Sequence, residues 1–168
     1  MVSPECNLIT KKGTIFIILK KDKNMNQDNP PKNNNNDDPQ AIVNSLQFPT
    51  LLMQAEPRQV VTANKKACEL FNKELSEIEG YRGGQVFDCI HSFTEAGCGL
   101  DKNCEGCKIK NAVVDTFASG KPHANVQTVL NIKKQEDTMP YAMVVSTEKV
   151  GKFVLITVVK YEKQETGG

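Results

Sequence analysis

The chain has 168 residues, a formal net charge of +1 at pH 7 and 24% charged residues. That length fits one domain, or one domain with a tail, and the balanced charge gives no basis for a nucleic-acid or anionic-membrane partner. The best apolar run, Thr14 to Leu19, falls far short of the roughly 20 residues that span a bilayer and resembles no export signal. We therefore expect a cytoplasmic protein with no membrane segment.

The N-terminal region, residues 1–40, has no core-forming pattern. Residues 24–40 are mostly asparagine, aspartate and proline, which bury too little apolar surface to offset the entropy of ordering. We predict a disordered tail at 1–40, one folded domain at 41–161 and a short tail at 162–168. Cys6 lies in the first tail and receives no role, and a translation start at Met25 is left open.

The first half of the folded domain predicts a lead-in helix at 41–46, strands at 50–54 and 59–63, and a second helix. Asn64 stands where it can cap that second helix, whose inward face is formed by alanine, leucine and phenylalanine at helical spacing. Cys68 lies within the helix, and we interpret it as a buried, inert thiol. This order of elements is a hairpin followed by helices.

The last third of the chain predicts strands at 122–133, 141–147 and 153–161. The first of them alternates strictly, with Ala124, Val126, Thr128, Leu130 and Ile132 on the inward side, as in a half-buried antiparallel strand. Two strands, then helices, then three longer strands indicate an α+β fold, a five-stranded antiparallel sheet with helices on one face.

The second face of this sheet is predicted to be partly apolar. Its apolar residues are Val129, Val145, Val154 and Val158. Because an uncovered apolar patch usually marks a partner surface, we expect a homodimer or a signalling-protein partner, with output through this face or through the lead-in helix.

Between the two halves lies a cysteine-rich loop from Asp88 to Cys107. Cys89, Cys98, Cys104 and Cys107 are separated by eight, five and two residues, with glycines between them. Apolar residues at helical spacing follow at 108–117, and Gly120 closes that pattern as a left-handed cap. The last two cysteines therefore stand at a helix N-terminus, where the positive end of the dipole favours thiolate.

Four clustered thiols in a reducing compartment are more often metal-binding or redox-active than a disulfide framework. We predict Cys89, Cys98, Cys104 and Cys107 as metal ligands, for an iron–sulfur cluster or alternatively for zinc. His91 could replace one sulfur. A reversible Cys104–Cys107 or Cys89–Cys98 disulfide and ordinary free thiols are the alternatives.

An enzyme is not expected. The sequence has no phosphate-cradling glycine loop and no H-E-x-x-H motif. A nucleophile pair of Cys89 with His91 or His123 lacks an evident third group to orient it, and His123 is better read as a solvated residue on the polar face of a strand.

Several of these segments resemble a PAS domain. The stretch from Asn64 to Phe71 is similar to the family's N-x-x-A-x-x-L helix entry, and residues 116–130 (TFASGKPHANVQTVL) are similar to the stretch leading into its third strand. The cysteine loop resembles the C…GCG…C-x-x-C insertion of a bacterial subgroup. The flavin-binding branch's N-C-R-F-L-Q motif is absent, which argues against photochemistry.

The resemblance implies a sensory or dimerisation module that binds a small ligand or cofactor between its helices and its sheet. With the four cysteines, it implies redox or oxygen sensing through a metal or iron–sulfur cluster. The alternatives are a thiol–disulfide redox switch and a pure protein-interaction domain with no metal.

Overall fold

A computed structural model describes residues 38–165 of the chain. It has an α+β fold in which one antiparallel sheet of five strands has the order β2-β1-β5-β4-β3. The strands are β1 (Thr50–Met53), β2 (Val60–Ala63), β3 (His123–Lys134), β4 (Asp137–Val150) and β5 (Phe153–Lys163). The helices are α1 (Pro39–Asn44), α2 (Lys65–Phe71), α3 (Gly83–Val86) and α4 (Lys108–Ser119), with 3₁₀ turns at Leu75–Glu77, Ile90–Phe93 and Lys102–Cys104. The predicted fold class is confirmed.

The predicted N-terminal tail lies almost wholly outside the described residues, as does Cys6. Its last residues are described, and they belong to α1, which Asp38 caps by accepting a hydrogen bond from the Gln40 amide. Among the described helices, none has the length and apolar character to cross a membrane.

The main core lies between the inner face of the sheet and helices α2, α3 and α4. Strands β1, β3, β4 and β5 supply inward apolar side chains at alternate positions, because successive side chains of a strand point to opposite faces. This core contains Leu51, Met53, Phe71, Val86, Phe87, Ile109, Val113, Leu130, Ile132, Met143 and Ile156, among others. Helix α1 packs on the opposite face of the sheet, where Val43 contacts Leu52 and Leu155 in a small second cluster.

The predicted apolar outer face is wrong for three of its four residues. Val145, Val154 and Val158 are fully or almost fully buried in the main core, and only Val129 is exposed, at 52%. Both β4 and β5 carry apolar residues on both faces, so the sequence does not reveal which alternate set points inward. The proposed dimer surface loses most of its basis.

Asn64 joins the beginning of the sheet to α2, as its position predicts. Its side-chain oxygen accepts hydrogen bonds from the amides of Thr50 and Ala67, both at 3.0 Å. Its side-chain amide donates to the carbonyls of Val43 (3.2 Å) and Phe48 (2.8 Å). One buried amide therefore caps a helix and also orders the connection that precedes β1.

Candidate functional site

A cavity of about 290 Å³ lies between the inner face of the sheet, helix α4 and the cysteine-rich loop. The sheet and α4 contribute apolar side chains to its wall, while the loop contributes polar groups. Its apolar lining includes Met53, Phe87, Ile109, Val113, Leu130 and Ile156, and its polar lining includes Arg58, Arg82, His91, Ser92 and Asn103. This volume is at the lower end of the range for small-molecule pockets.

All four predicted site cysteines line this one cavity. The sulfur of Cys98 accepts a hydrogen bond from the Gly84 amide at 3.2 Å, and the sulfur of Cys104 accepts one from the Gly99 amide at 3.3 Å. Cys107 occupies the N-cap position of α4, as predicted for the C-x-x-C pair. Fold and loop therefore bring together residues that are up to 18 positions apart in the chain.

The structure corrects the predicted cofactor. Within residues 38–165, no group of three or more histidine, cysteine, aspartate or glutamate side chains is arranged to hold a metal ion. A tetrahedral thiolate site needs its sulfurs at about 2.3 Å from one common point, and no three of the described candidate side chains are arranged in that way. The prediction of an iron–sulfur cluster, with zinc as the alternative, was wrong.

The environment of the thiols also differs from the expected one. Burial raises the pKa of the Cys89 thiol to about 11, against a smaller opposing effect of a hydrogen bond from the His91 backbone. Burial raises the pKa of Cys98 as well, although the Gly84 amide acts in the opposite direction. Both residues are consequently neutral thiols at pH 7, and neutral thiols are poor nucleophiles.

The loop begins at Asp88, whose carboxylate forms ion pairs with lysines from two other parts of the fold. One carboxylate oxygen lies 2.7 Å from Lys73 Nζ and the other lies 2.7 Å from Lys134 Nζ at the end of β3. The Asp88 carbonyl also accepts a hydrogen bond from the Lys133 amide at 2.8 Å. These contacts fix the entry of the loop to the edge strand of the sheet.

The two histidines have different surroundings. His91 lines the cavity, and its Nδ1 lies 3.7 Å from a carboxylate oxygen of Asp101 within the same loop. His123 Nε2 lies 2.7 Å from a carboxylate oxygen of Asp115 on α4, in a partly exposed pair. His123 does not belong to the described lining of the cavity, so the alternative pairing with Cys89 is not formed.

Two arginines that were not predicted from the sequence reach the same cavity. Arg58 precedes β2 and Arg82 precedes α3, yet their guanidinium groups both lie beside Gly99: a Cβ there would be 3.5 Å from Arg58 Nη2 and 3.2 Å from Arg82 Nη1. Arg82 Nη1 donates to the Cys98 carbonyl at 3.1 Å. One signal was available, because these are the only arginines in a chain whose other basic side chains are nearly all lysine.

Comparison with known proteins gives a limited result. No family model matches the chain, and no curated protein matches it. The Rhodobacter sphaeroides LOV protein is similar in structure at a TM-score of 0.47 with 14% identity, over 77% of this chain and 66% of that one. A light–oxygen–voltage domain studied with a flavin analogue gives a TM-score of 0.43 with 14% identity, over 75% of this chain and 84% of that one. This chain thus spans just under two thirds of the R. sphaeroides protein.

Likenesses of this size carry no argument about a ligand or an activity. The architecture itself, a five-stranded antiparallel sheet with three helices on one face, agrees with the fold class that the resemblance to PAS domains implies. Membership of the subgroup with the four-cysteine insertion stays a prediction.

Proposed function

We propose that this chain is a PAS-like sensory module whose signal is a small molecule held in the cavity between sheet, α4 and cysteine loop. The observation that supports this is the cavity: it is concave and mainly apolar, and a few polar groups converge on it. Those are the properties of small-molecule binding sites in general.

The position of the cavity suits a sensor because one of its walls is a loop joined at both ends to the scaffold. The loop begins at Asp88, whose carbonyl is hydrogen-bonded to β3, and it ends at Cys107, which begins α4. A ligand in contact with this wall acts on two elements of the fold simultaneously. A change in the order of the loop is the natural output of such binding.

The test uses a matched pair of variants on β3. Thr128 lines the cavity, and Gln127, its neighbour along the strand, is exposed on the other face. Thr128→Phe fills the cavity, while Gln127→Phe adds the same ring outside it. Unfolding temperatures are measured with a panel consisting of flavin mononucleotide, haem, a nucleoside, a short organic acid and a short amine.

We expect at least one compound to raise the unfolding temperature of the wild type and of Gln127→Phe by several degrees, since a ligand that binds only the folded state stabilises it. The same compound should have no effect on Thr128→Phe. The proposal fails if no compound stabilises the wild type, or if Thr128→Phe responds as strongly.

A thiol–disulfide switch is the second candidate. It is favoured by the proximity of Cys89 and Cys98, whose Cβ atoms both lie within 3.6 Å of the position that a Cβ on Gly84 would take. The reaction oxidises two thiols to one disulfide and reduces hydrogen peroxide to two waters. Because burial raises both thiol pKa values, it should be slow at pH 7 and accelerate as pH rises.

Mass spectrometry of peroxide-treated protein tests this candidate. A Cys89–Cys98 linkage, formed faster at pH 9 than at pH 7 and lost in Cys98→Ser, would support it. Over-oxidised single cysteines without a linkage would reject it. Homodimerisation, a cytoplasmic location and the absence of enzymatic activity stay predictions beside both candidates.

A further inference from the structure

We infer that the cavity is specific for a small organic anion, whose carboxylate head lies between Arg58 and Arg82 and whose apolar body lies against the sheet. This inference rests on the proposed function and names the ligand class for the same site. It depends on the charges, the unpaired donor and the apolar wall of the cavity.

The first observation is the accumulation of positive charge without compensation. The two guanidinium groups both approach one point beside Gly99, at 3.2 and 3.5 Å. Among the described residues, no carboxylate forms an ion pair with either arginine, and no aspartate or glutamate lines the cavity. Two like charges at such proximity repel each other, and an anion between them removes that cost.

The second observation is an unused hydrogen-bond donor. The Nε atom of Arg58 is buried, and no acceptor among residues 38–165 is bonded to it. Buried polar atoms without partners are uncommon in folded proteins and call for an explanation. An arginine fork is matched in geometry by a carboxylate, which accepts two parallel hydrogen bonds from it.

The third observation concerns space and polarity. Gly99 has a positive φ of 80°, and its backbone lines the cavity beside both guanidinium groups without a side chain to cover them. Away from the arginines, the wall is formed by side chains such as Met53, Leu130 and Ile156. The ligand should therefore carry its charge at one end and hydrocarbon at the other.

Calorimetric titration of the full chain with butanoate, hexanoate and octanoate tests the inference. Hexanamide, which has the same size and no charge, and inorganic phosphate, which has charge and no hydrocarbon, are the controls. We expect hexanoate to bind at least about tenfold more tightly than hexanamide. Affinity should rise about fourfold for each added methylene until the cavity is filled.

Variants at Arg58 test whether this residue binds the carboxylate of the ligand. Arg58→Gln should weaken hexanoate binding at least about tenfold, Arg58→Lys should retain part of it, and Lys152→Gln, an exposed change in the β4–β5 turn, should leave it unchanged. The comparison of hexanoate with hexanamide needs only the wild type, so it decides the question even if Arg58→Gln does not fold.

Equal binding of hexanoate and hexanamide, or full affinity in a folded Arg58→Gln, would overturn the anion specificity and leave the sensory proposal standing. Phosphate binding as tightly as hexanoate would overturn the apolar part of the inference. If no carboxylate binds while another member of the panel distinguishes Thr128→Phe from Gln127→Phe, only this inference fails. If nothing in either experiment binds, the proposed function fails with it.

Discussion

The Cys98 sulfur rests directly on the backbone of Gly84. The Gly84 amide donates a hydrogen bond to it at 3.2 Å, and a Cβ on Gly84 would lie 2.5 Å from the same sulfur. This distance is far shorter than any ordinary contact between a carbon and a sulfur atom. The middle of the cysteine loop therefore has its position because residue 84 has no side chain.

Gly84→Ala should lower the free energy of unfolding by about 1–3 kcal/mol, the usual cost of overpacking a close contact. Gly106→Ala is the matched control, because Gly106 lies in the cysteine-rich loop and a Cβ there would meet no atom within 4 Å. Urea denaturation of both variants measures the difference. Equal stability of the two variants would show that the loop is free to move away from α3.

The stability of the protein should fall as pH rises from 9 towards 11. Burial raises the pKa of Cys89 from 9.0 to about 11, so in this interval the unfolded chain releases a proton that the folded chain retains. Release from the unfolded state favours unfolding, and the full loss from Cys89 is about 3 kcal/mol. The stabilisation that comes from the raised pKa of Cys89 is fully present below pH 9.

The measurement is urea denaturation under reducing conditions, for the wild type and for Cys89→Ala, below pH 9 and near pH 11. All other ionisable groups are the same in both proteins, so the difference between the two slopes isolates the contribution of Cys89. Cys89→Ala should have the shallower slope. Parallel slopes would mean that the Cys89 thiol is accessible to water in the folded protein.

Asp88→Asn should destabilise the protein by about 1–2 kcal/mol, between the values for exposed ion pairs and for charged hydrogen bonds. The carboxylate bonds two lysines and is only 18% exposed. Asparagine tolerates the positive φ of 58° at this position, so the substitution tests the charge without straining the backbone.

Lys65→Gln is the control for Asp88→Asn, since it removes an exposed pair with Glu69 at 3.7 Å. This control should cost less than about 0.5 kcal/mol. Thermal unfolding at low and high salt compares them. A loss as small as that of Lys65→Gln would show that water replaces the Asp88 bonds without cost.

Asn64→Ala should cost about 2 kcal/mol or more, because it removes a helix cap together with three further hydrogen bonds of a buried side chain. Asn64→Asp retains the oxygen that accepts from Thr50 and Ala67 but loses the donors to Val43 and Phe48. It also sets a carboxylate oxygen against those two carbonyl oxygens, so it too should be less stable than the wild type, by about 1–3 kcal/mol. Urea denaturation of the three proteins checks the assignment, and wild-type stability in either variant would contradict it.

Elements with a strong local signal were predicted well from the sequence. Asn64 caps α2, Gly120 ends α4 in the left-handed conformation, and Cys107 begins α4. The strand order in the chain and the antiparallel pairing also agree, because alternation and turn residues report on neighbours in sequence. Local chemistry was sufficient in each of these cases.

Features that depend on distant parts of the chain were not predictable in this way. Ala124 is exposed because the β3–β4 register shifts beside Asn125, whose φ is 54°. The prediction of which side chains of β4 and β5 point inward was wrong, because both strands carry apolar residues on both faces. Arg58 and Arg82 are 24 residues apart, and no local pattern indicates that they meet beside Gly99.

The sheet separates the cavity from α1 by the thickness of a single backbone layer. Met53 and Ile156 line the cavity, while their neighbours Leu52 and Leu155 form the surface on which Val43 of α1 rests. Leu52 and Leu155 are also paired across β1 and β5. A ligand that pushes these two strands apart or tilts them would also move the surface on which α1 packs. The position of α1 is therefore coupled to ligand binding in the cavity, although α1 is not part of the cavity lining.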